Sequence, residues 1–269
     1  MIMTTSPPLP YSEHIADLFR LDDQVALVAG GYGGIGSALS LGLAQQGAKV
    51  AIAGRSLEKA GAFAETLTSH GFDAFGTAFD IVNPEDVTRL VQEVVDRYGR
   101  LDILVNCVGT HIERPAEELS VEEWDIVHNT NLRGAFLLAQ AAGRQMIQQR
   151  KGKQIHISSV RSMLGIHRGY AAYTSSKAGL NLLVKQLATE WAKYSINVNA
   201  IAPTFIRTEL VTHYLEDETF YNALVSRIPL GRVGDPIDIV GATVFFAAPA
   251  SDFITGQILF TDGGVTATQ

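Results

Sequence analysis

Short apolar runs and amphipathic stretches alternate along the chain from residue 25 onward. Val25 to Ala29 is apolar at every position, the mark of a strand buried on both faces. A glycine cluster follows it, and Ile35 to Gln46 then sets Ile35, Ala38, Leu39 and Leu43 on one helical face. Lys49 to Ala53 reads as a second buried strand, Leu57 to His70 as a helix and Ala74 to Phe79 as a strand. Pro84 to Tyr98 is helical, with Pro84 suited to the first turn. Leu101 to Cys107 is the next strand, and a long helix is expected within Val121 to Gln149. Gln154 to Ser158 is a strand, Ala172 to Lys193 a helix and Asn197 to Ile201 a strand. Pro236 to Ala247 is helical and Gln257 to Phe260 a short last strand. This alternation predicts an α/β fold: one doubly wound parallel sheet with helices on both faces. Thr204 to Val233 interrupts the alternation and carries Tyr, His and Glu. It reads as a loop-and-helix lid, with a surface helical hairpin as the alternative.

Composition narrows the class of molecule. Of 269 residues, 46% are hydrophobic and 18% charged, which suits a packed core and not disorder. The formal net charge of -7 argues against nucleic acid as a partner, though not against a local cationic pocket. Cys107 is the single cysteine, so no intrachain disulfide and no multi-cysteine metal site can form. Met1 to Pro10 is polar and proline-rich, unlike a secretory signal, and no apolar run approaches the roughly 20 residues that cross a bilayer. A soluble cytoplasmic protein without membrane or metal is expected.

The glycine cluster carries the first chemical signal. A strand ending at Ala29 runs into Gly30, Gly31, Tyr32, Gly33, Gly34, Ile35 and Gly36, and a helix opens there. A pyrophosphate needs bare backbone N–H groups and the positive end of a helix, which this order of elements supplies. A Rossmann-type dinucleotide site follows. At the end of the second strand, where NAD enzymes place a carboxylate for the ribose 2′-OH, the chain has Arg55 and Ser56. A guanidinium there can pair with a 2′-phosphate, which favours NADP(H) over NAD(H). The alternative is that Arg55 is an exposed loop residue stacked on adenine. The second signal is Tyr173-Thr-Ser-Ser-Lys177, which puts a phenol and an ammonium on one helical face. The positive charge is expected to lower the phenol pKa and fit it for proton transfer.

Gly30-xxx-Gly34-Ile35-Gly36 and Tyr173-xxx-Lys177 together resemble the short-chain dehydrogenases/reductases, over about Leu21 to Gly264. Ala29 stands where that family usually has Thr, and no second basic residue occupies Tyr32-Gly33. The resemblance implies an oxidoreductase that moves hydride between nicotinamide and a carbonyl or alcohol carbon of a small molecule. It implies Tyr173 as general acid/base, Lys177 as the group that tunes it and binds the nicotinamide ribose, and Ser159 (or Ser158) as the donor to the substrate oxygen. Asn131 matches the Asn that holds a relay water. Asp80 and Ile81 match the adenine position, Asn106 and Gly109 the turn beside the ribose, and Pro203, Ile206 and Thr208 the nicotinamide side. Asp262-Gly263-Gly264 matches a terminal structural turn. Cys107 is expected to be a packed residue.

The resemblance assigns residues 1–20 to an N-terminal extension and 21–269 to a single dinucleotide-binding and catalytic domain, assembled as a homotetramer or homodimer through the long helices. His111, Arg114, Arg161, His167, Arg168, Tyr170, Phe205 and Arg207 are expected on the substrate side, with Arg161 the carboxylate partner and His111 and Tyr170 beside it. This lining and the stretch Ala188 to Pro203 are similar to the sugar-acid members of the family, the gluconate 5-dehydrogenases among them. The alternatives are a 3-oxoacyl or small-ketone reductase, and a dinucleotide sensor without turnover.

Overall fold

A computed structural model describes residues 15–268; the Met1 to Pro10 segment lies outside the described residues. Seven parallel strands form one sheet in the order β3-β2-β1-β4-β5-β6-β7. They are β1 (Val25–Ala29), β2 (Lys49–Gly54), β3 (Ala74–Ala78), β4 (Ile103–Asn106), β5 (Gly152–Ile157), β6 (Ile196–Pro203) and β7 (Ile258–Thr261). The helices are α1 (Gly34–Gln45), α2 (Leu57–Ser69), α3 (Pro84–Tyr98), α4 (Val121–His128), α5 (Gly134–Gln149), α6 (Ala171–Trp191), α7 (Glu209–Leu215), α8 (Glu218–Val225) and α9 (Ile237–Ala247). The expected doubly wound sheet is therefore present.

Side-chain alternation along the central strands sorts the core into two layers. Ala26 and Val28 of β1 and Ile103 and Val105 of β4 face Leu39 and Leu43 of α1 and Ile239 and Phe246 of α9. Leu27 of β1 and Leu104 of β4 face the opposite way, against Leu90 of α3, Leu138 of α5 and Val184 of α6. Strands covered on both faces have no polar side, which is why they read as unbroken apolar runs.

The order of strands reverses between β1, which pairs with β2 on one side, and β4 on the other. The loops leaving β1 and β4 therefore part at their carboxyl ends and open a crevice, the position at which open α/β sheets bind ligands.

The expected long helix over Val121 to Gln149 is interrupted. Ser120 caps α4 through a reciprocal box with Glu123. A π-helical turn, Asn129–Arg133, then inserts an extra residue before α5. The periodicity of apolar positions carries through both helices, so nothing in the pattern marks the break. The stretch expected to form a loop-and-helix lid or a helical hairpin holds two short helices, α7 and α8, between β6 and α9.

Leu27 is fully buried in the interior strand β1. Leu27→Ala is expected to destabilise the fold by about 2–5 kcal/mol, measured as a lower urea midpoint with an unchanged slope.

Candidate active site

At the end of β1 the chain turns through Gly30, whose φ of 77° is left-handed. A side chain on Gly36 would collide with the Gly30 carbonyl, so the first turn of α1 lies directly against the loop. Gly33 precedes α1 and gives it no side-chain cap. The first N–H groups of α1 are left pointing out of the helix end, as an anion site requires. Thr208 closes over the same loop: a Cβ on Gly34 would stand 2.7 Å from Thr208 Cγ2. Ile206 makes a parallel bridge to Gly234. The bonds of that bridge use Phe205 O and the Arg207 N–H, leaving Ile206's own N–H on the other side.

Tyr32 crosses from the glycine loop to the end of β2. Its ring covers Gly54, where any side chain would collide with it, and its hydroxyl accepts from the Ser56 N–H at 3.1 Å. Ser56 in turn caps α2 by accepting from the Lys59 N–H. Arg55 is exposed beside them and, among the described residues, pairs with no carboxylate. At the end of β3 the Asp80 carboxylate accepts from the Val82 N–H at 3.1 Å. Ile81 sends its side chain into the core against Gly134, so only its backbone stays at the strand end.

The loop after β4 is braced by Asn106, whose side chain accepts from the Val108 N–H. A Cβ built on Gly109 would stand 3.4 Å from Lys177 Nζ and 3.6 Å from Asn131 Oδ1. Three predicted residues thus border one small space. Asn131 lies in the π-helical turn and clips this loop as a neighbouring strand would: its Oδ1 accepts from the Thr110 N–H and its Nδ2 donates to Thr110 O, both at 2.8 Å. The second Nδ2 proton goes to Ser176 Oγ at 3.0 Å, a partner that sequence reading did not single out. One lone pair on Oδ1 is left over. The extra residue in the turn is what aims Asn131 inward, in keeping with the frequent use of such turns at functional sites.

Lys177 is buried on α6, one turn beyond Tyr173, with Nζ 5.8 Å from the centre of the Tyr173 ring. One ammonium proton goes to Ile157 O at 2.8 Å, at the end of β5. Burial pushes Lys177 down to about 8. Beneath it, His156 is fully buried with no protein partner at either ring nitrogen, and burial together with the Lys177 charge pushes it down to about 4. Cys107, near Lys177 and partly buried, is pushed up to about 12 by desolvation, so its thiol keeps its proton.

The expectation that the ammonium lowers the Tyr173 pKa needs correction. Desolvation by the packed protein dominates and holds the phenol above its ordinary value, although part of the residue stays at the cleft surface. The groups pulling it down are the Ser159 hydroxyl, by hydrogen bonding, and the Arg161 charge. Of the two candidate serines, Ser159 is the one whose hydroxyl acts on the phenol in this direction. Ser158 Oγ donates instead to Asn181 Oδ1 at 2.6 Å, against α6.

The cations expected on the substrate side divide sharply. Arg114 pairs with Glu123, Arg168 with Glu113 and Arg207 with Asp235. Arg161 is half-buried and donates to Gly165 O at 3.1 Å, and among the described residues it forms no ion pair with a carboxylate. Burial holds its guanidinium below the ordinary value. His111 stands edge-on to Tyr170 at 4.6 Å and to Tyr173 at 5.8 Å, with a buried Nε2 that has no protein partner.

Comparison with known proteins identifies the class. A family model described as enoyl-(acyl carrier protein) reductase matches residues 30–266. The gluconate 5-dehydrogenase of Gluconobacter oxydans is 37% identical over 252 residues, which are 94% of this chain and 98% of that protein. The 5-keto-D-gluconate 5-reductase of Escherichia coli K12 is 35% identical over 93% of this chain and 98% of its own length. A crystal structure of a gluconate 5-dehydrogenase from Burkholderia cenocepacia, in complex with NADP and tartrate, is 38% identical with a TM-score of 0.92, covering 95% of this chain and all of that one. The chain belongs to the short-chain dehydrogenase/reductase family. It is an oxidoreductase acting on CH–OH groups.

If Ser159 holds the phenol pKa down, Ser159→Ala should move it further up. The tyrosinate absorbance, taken as the difference from Tyr173→Phe across alkaline pH, is expected to shift to higher pH in Ser159→Ala; an unshifted titration would remove the contact.

Proposed function

We propose that the chain is an NADP(H)-dependent dehydrogenase/reductase for a sugar acid, interconverting a secondary hydroxyl and its ketone. The observation that carries this reading is Lys177 lying beside the Tyr173 ring and, across Gly109, beside Asn131, on the loop after β4 that packs against Gly30. The names of its relatives support the sugar-acid substrate and the bound NADP of one of them supports the cofactor.

The residues at the crevice fit the nucleotide. The bare loop from Gly30 to Gly36 and the first turn of α1 would hold its pyrophosphate. Arg55, with no carboxylate in competition, would pair with the 2′-phosphate, and Ser56 and Tyr32 would form the floor beside it. Asp80 and the Ile81 backbone would border adenine, Asn106 and Gly109 the ribose, and Pro203, Ile206 and Thr208 the nicotinamide. When bound, the nicotinamide supplies or accepts the hydride.

The remaining chemistry falls to side chains. In reduction, Tyr173 donates its phenolic proton to the oxygen that gains negative charge, and the raised pKa keeps that proton in place through neutral pH. Ser159 donates a hydrogen bond to the same oxygen and stabilises the charge as it develops. In oxidation Tyr173 must first lose its proton, so the rate of alcohol oxidation rises with pH. Lys177 has two ammonium protons beyond the one given to Ile157, and these can support tyrosinate and hold the ribose. The Asn131 lone pair and Lys177 Nζ border the space over Gly109, which fits a water passing protons between them.

Arg161 is the group for a carboxylate. It sits two residues after Ser159, and its N–H donates to Ser159 Oγ at 3.1 Å, so an acid held by its guanidinium is registered against the reacting oxygen. Tyr170, with His111 packed against it, would border the substrate beside Tyr173.

Tyr173→Phe should lower kcat by about 100-fold or more while NADPH binding, read by fluorescence titration, is retained. Unchanged turnover would end the assignment. Arg161→Ala should raise KM for an aldonate about tenfold or more and KM for simple ketones by less than about twofold. Wild-type rates on a 3-oxoacyl thioester above those on aldonates would favour the acyl-reductase reading instead. Arg55→Asp should move the ratio of kcat/KM for NADP(H) over NAD(H) about tenfold or more toward NAD(H).

A further inference from the structure

Two loops wall the cleft above Tyr173, and they are clamped to each other. Arg168 Nε and Nη2 donate to the two carboxylate oxygens of Glu113, each at 2.8 Å, and the two side chains are only 24% and 32% exposed. Beside this pair the Arg114 N–H donates to Gly169 O at 2.9 Å, and any side chain on Gly169 would collide with the Arg114 backbone. The two loops therefore meet backbone to backbone at Arg114 and Gly169.

The clamp bears directly on the rings that face the phenol. His111 comes from the first loop and Tyr170 from the second, and they meet edge-on at 4.6 Å. Tyr170 lies 6.0 Å from Tyr173. The Arg168 guanidinium carbon is 5.9 Å from the Tyr170 ring centre and 5.5 Å from that of Phe220 on α8. Phe220 also packs edge-on against Phe205, after the end of β6. One guanidinium thus joins the loop after β4, the loop before α6 and a helix of the segment predicted as a lid.

We propose that Arg168, oriented by Glu113, is a positioning residue that fixes the His111–Tyr170 wall beside Tyr173 and docks α8 over the cleft. The pair then governs how tightly a polyhydroxylated acid is held, with little effect on the chemical step. A bidentate contact sets the plane of the guanidinium as well as its distance, and stacking on the two rings depends on that plane. A lysine at 168 would keep the charge and lose the plane. The inference rests on the oxidoreductase reading for its kinetic consequence, but not for its structural one.

The test uses the full chain with NADP(H), comparing wild type with Glu113→Gln, Arg168→Lys, the double variant and Phe220→Ala. Glu113→Gln nearly preserves shape, and melting temperature checks that each variant folds. In each single variant KM for an aldonate should rise about tenfold, kcat should change less than about twofold, and the NADPH Kd should hold. Glu113→Gln and Arg168→Lys together should cost no more than the worse of the two alone, because they break one contact. Hydrogen exchange of amides 163–170 and 218–225 should quicken in Glu113→Gln. Additive effects, a loss in kcat without a change in KM, or unaltered exchange would overturn the proposal. Should wild type turn over no sugar acid, the functional reading fails, and the exchange comparison alone upholds or removes the clamp.

Discussion

The cleft is organised around an ammonium held out of water. Lys177 is buried, and an ionised group in that position costs several kcal/mol unless the surrounding groups compensate. The compensation visible here is one backbone carbonyl, Ile157 O, at the end of β5. Neighbouring titratable groups carry no opposing charge: His156 is pushed toward neutrality and Cys107 keeps its proton. Lys177 at about 8 is consequently poised, still largely protonated near neutral pH and close to losing its charge. A group in that condition is sensitive to any negative charge that develops beside it, including tyrosinate.

Tyr173 is opposed in the same way. Packing raises it and Ser159 and Arg161 lower it, so the groups that lower it are those read as contacting substrate. Proton affinity at the phenol and recognition of the substrate are thereby coupled through two neighbouring side chains. The coupling comes from chain geometry: Ser159 ends the run from β5, and Arg161 lies in the single 3-10 turn, Val160–Ser162, that Ser159 caps.

Much of this architecture was legible in the sequence because it follows from local patterns. Buried parallel strands have to be apolar on both faces, so β1 and β2 stood out. The glycines from Gly30 to Gly36 and the four-residue step from Tyr173 to Lys177 are spacing rules that a helix and a turn impose directly. What escaped depends on contacts between distant segments. Periodicity passes straight through the π-helical turn, so Asn131's clip to Thr110 left no trace. Tyr32 reaching Ser56, and Ser176 bonding Asn131, each join residues far apart in the chain. The direction of the Tyr173 shift was misread because helix spacing reports the nearby charge but not how much protein surrounds the phenol.

The charges around the cleft illustrate the same limit and carry a functional consequence. The sequence offers several arginines as equal candidates for an anion, in a chain whose net charge is -7. The fold makes them unequal by supplying carboxylates to Arg114, Arg168 and Arg207. Arg114 and Arg168 are gripped by both oxygens of their carboxylates, so a substrate would have to displace a partner held by the protein, while Arg207 meets Asp235 in one exposed contact at 3.4 Å. Arg161 has only a backbone carbonyl, is half-buried, and is already held below its ordinary pKa by burial. An incoming carboxylate there relieves an existing penalty instead of competing with a neighbour, and its attraction is strengthened by the partial exclusion of water. Of the arginines expected on the substrate side, Arg161 beside Ser159 is therefore the one the proposed reading gives to an acid's carboxylate.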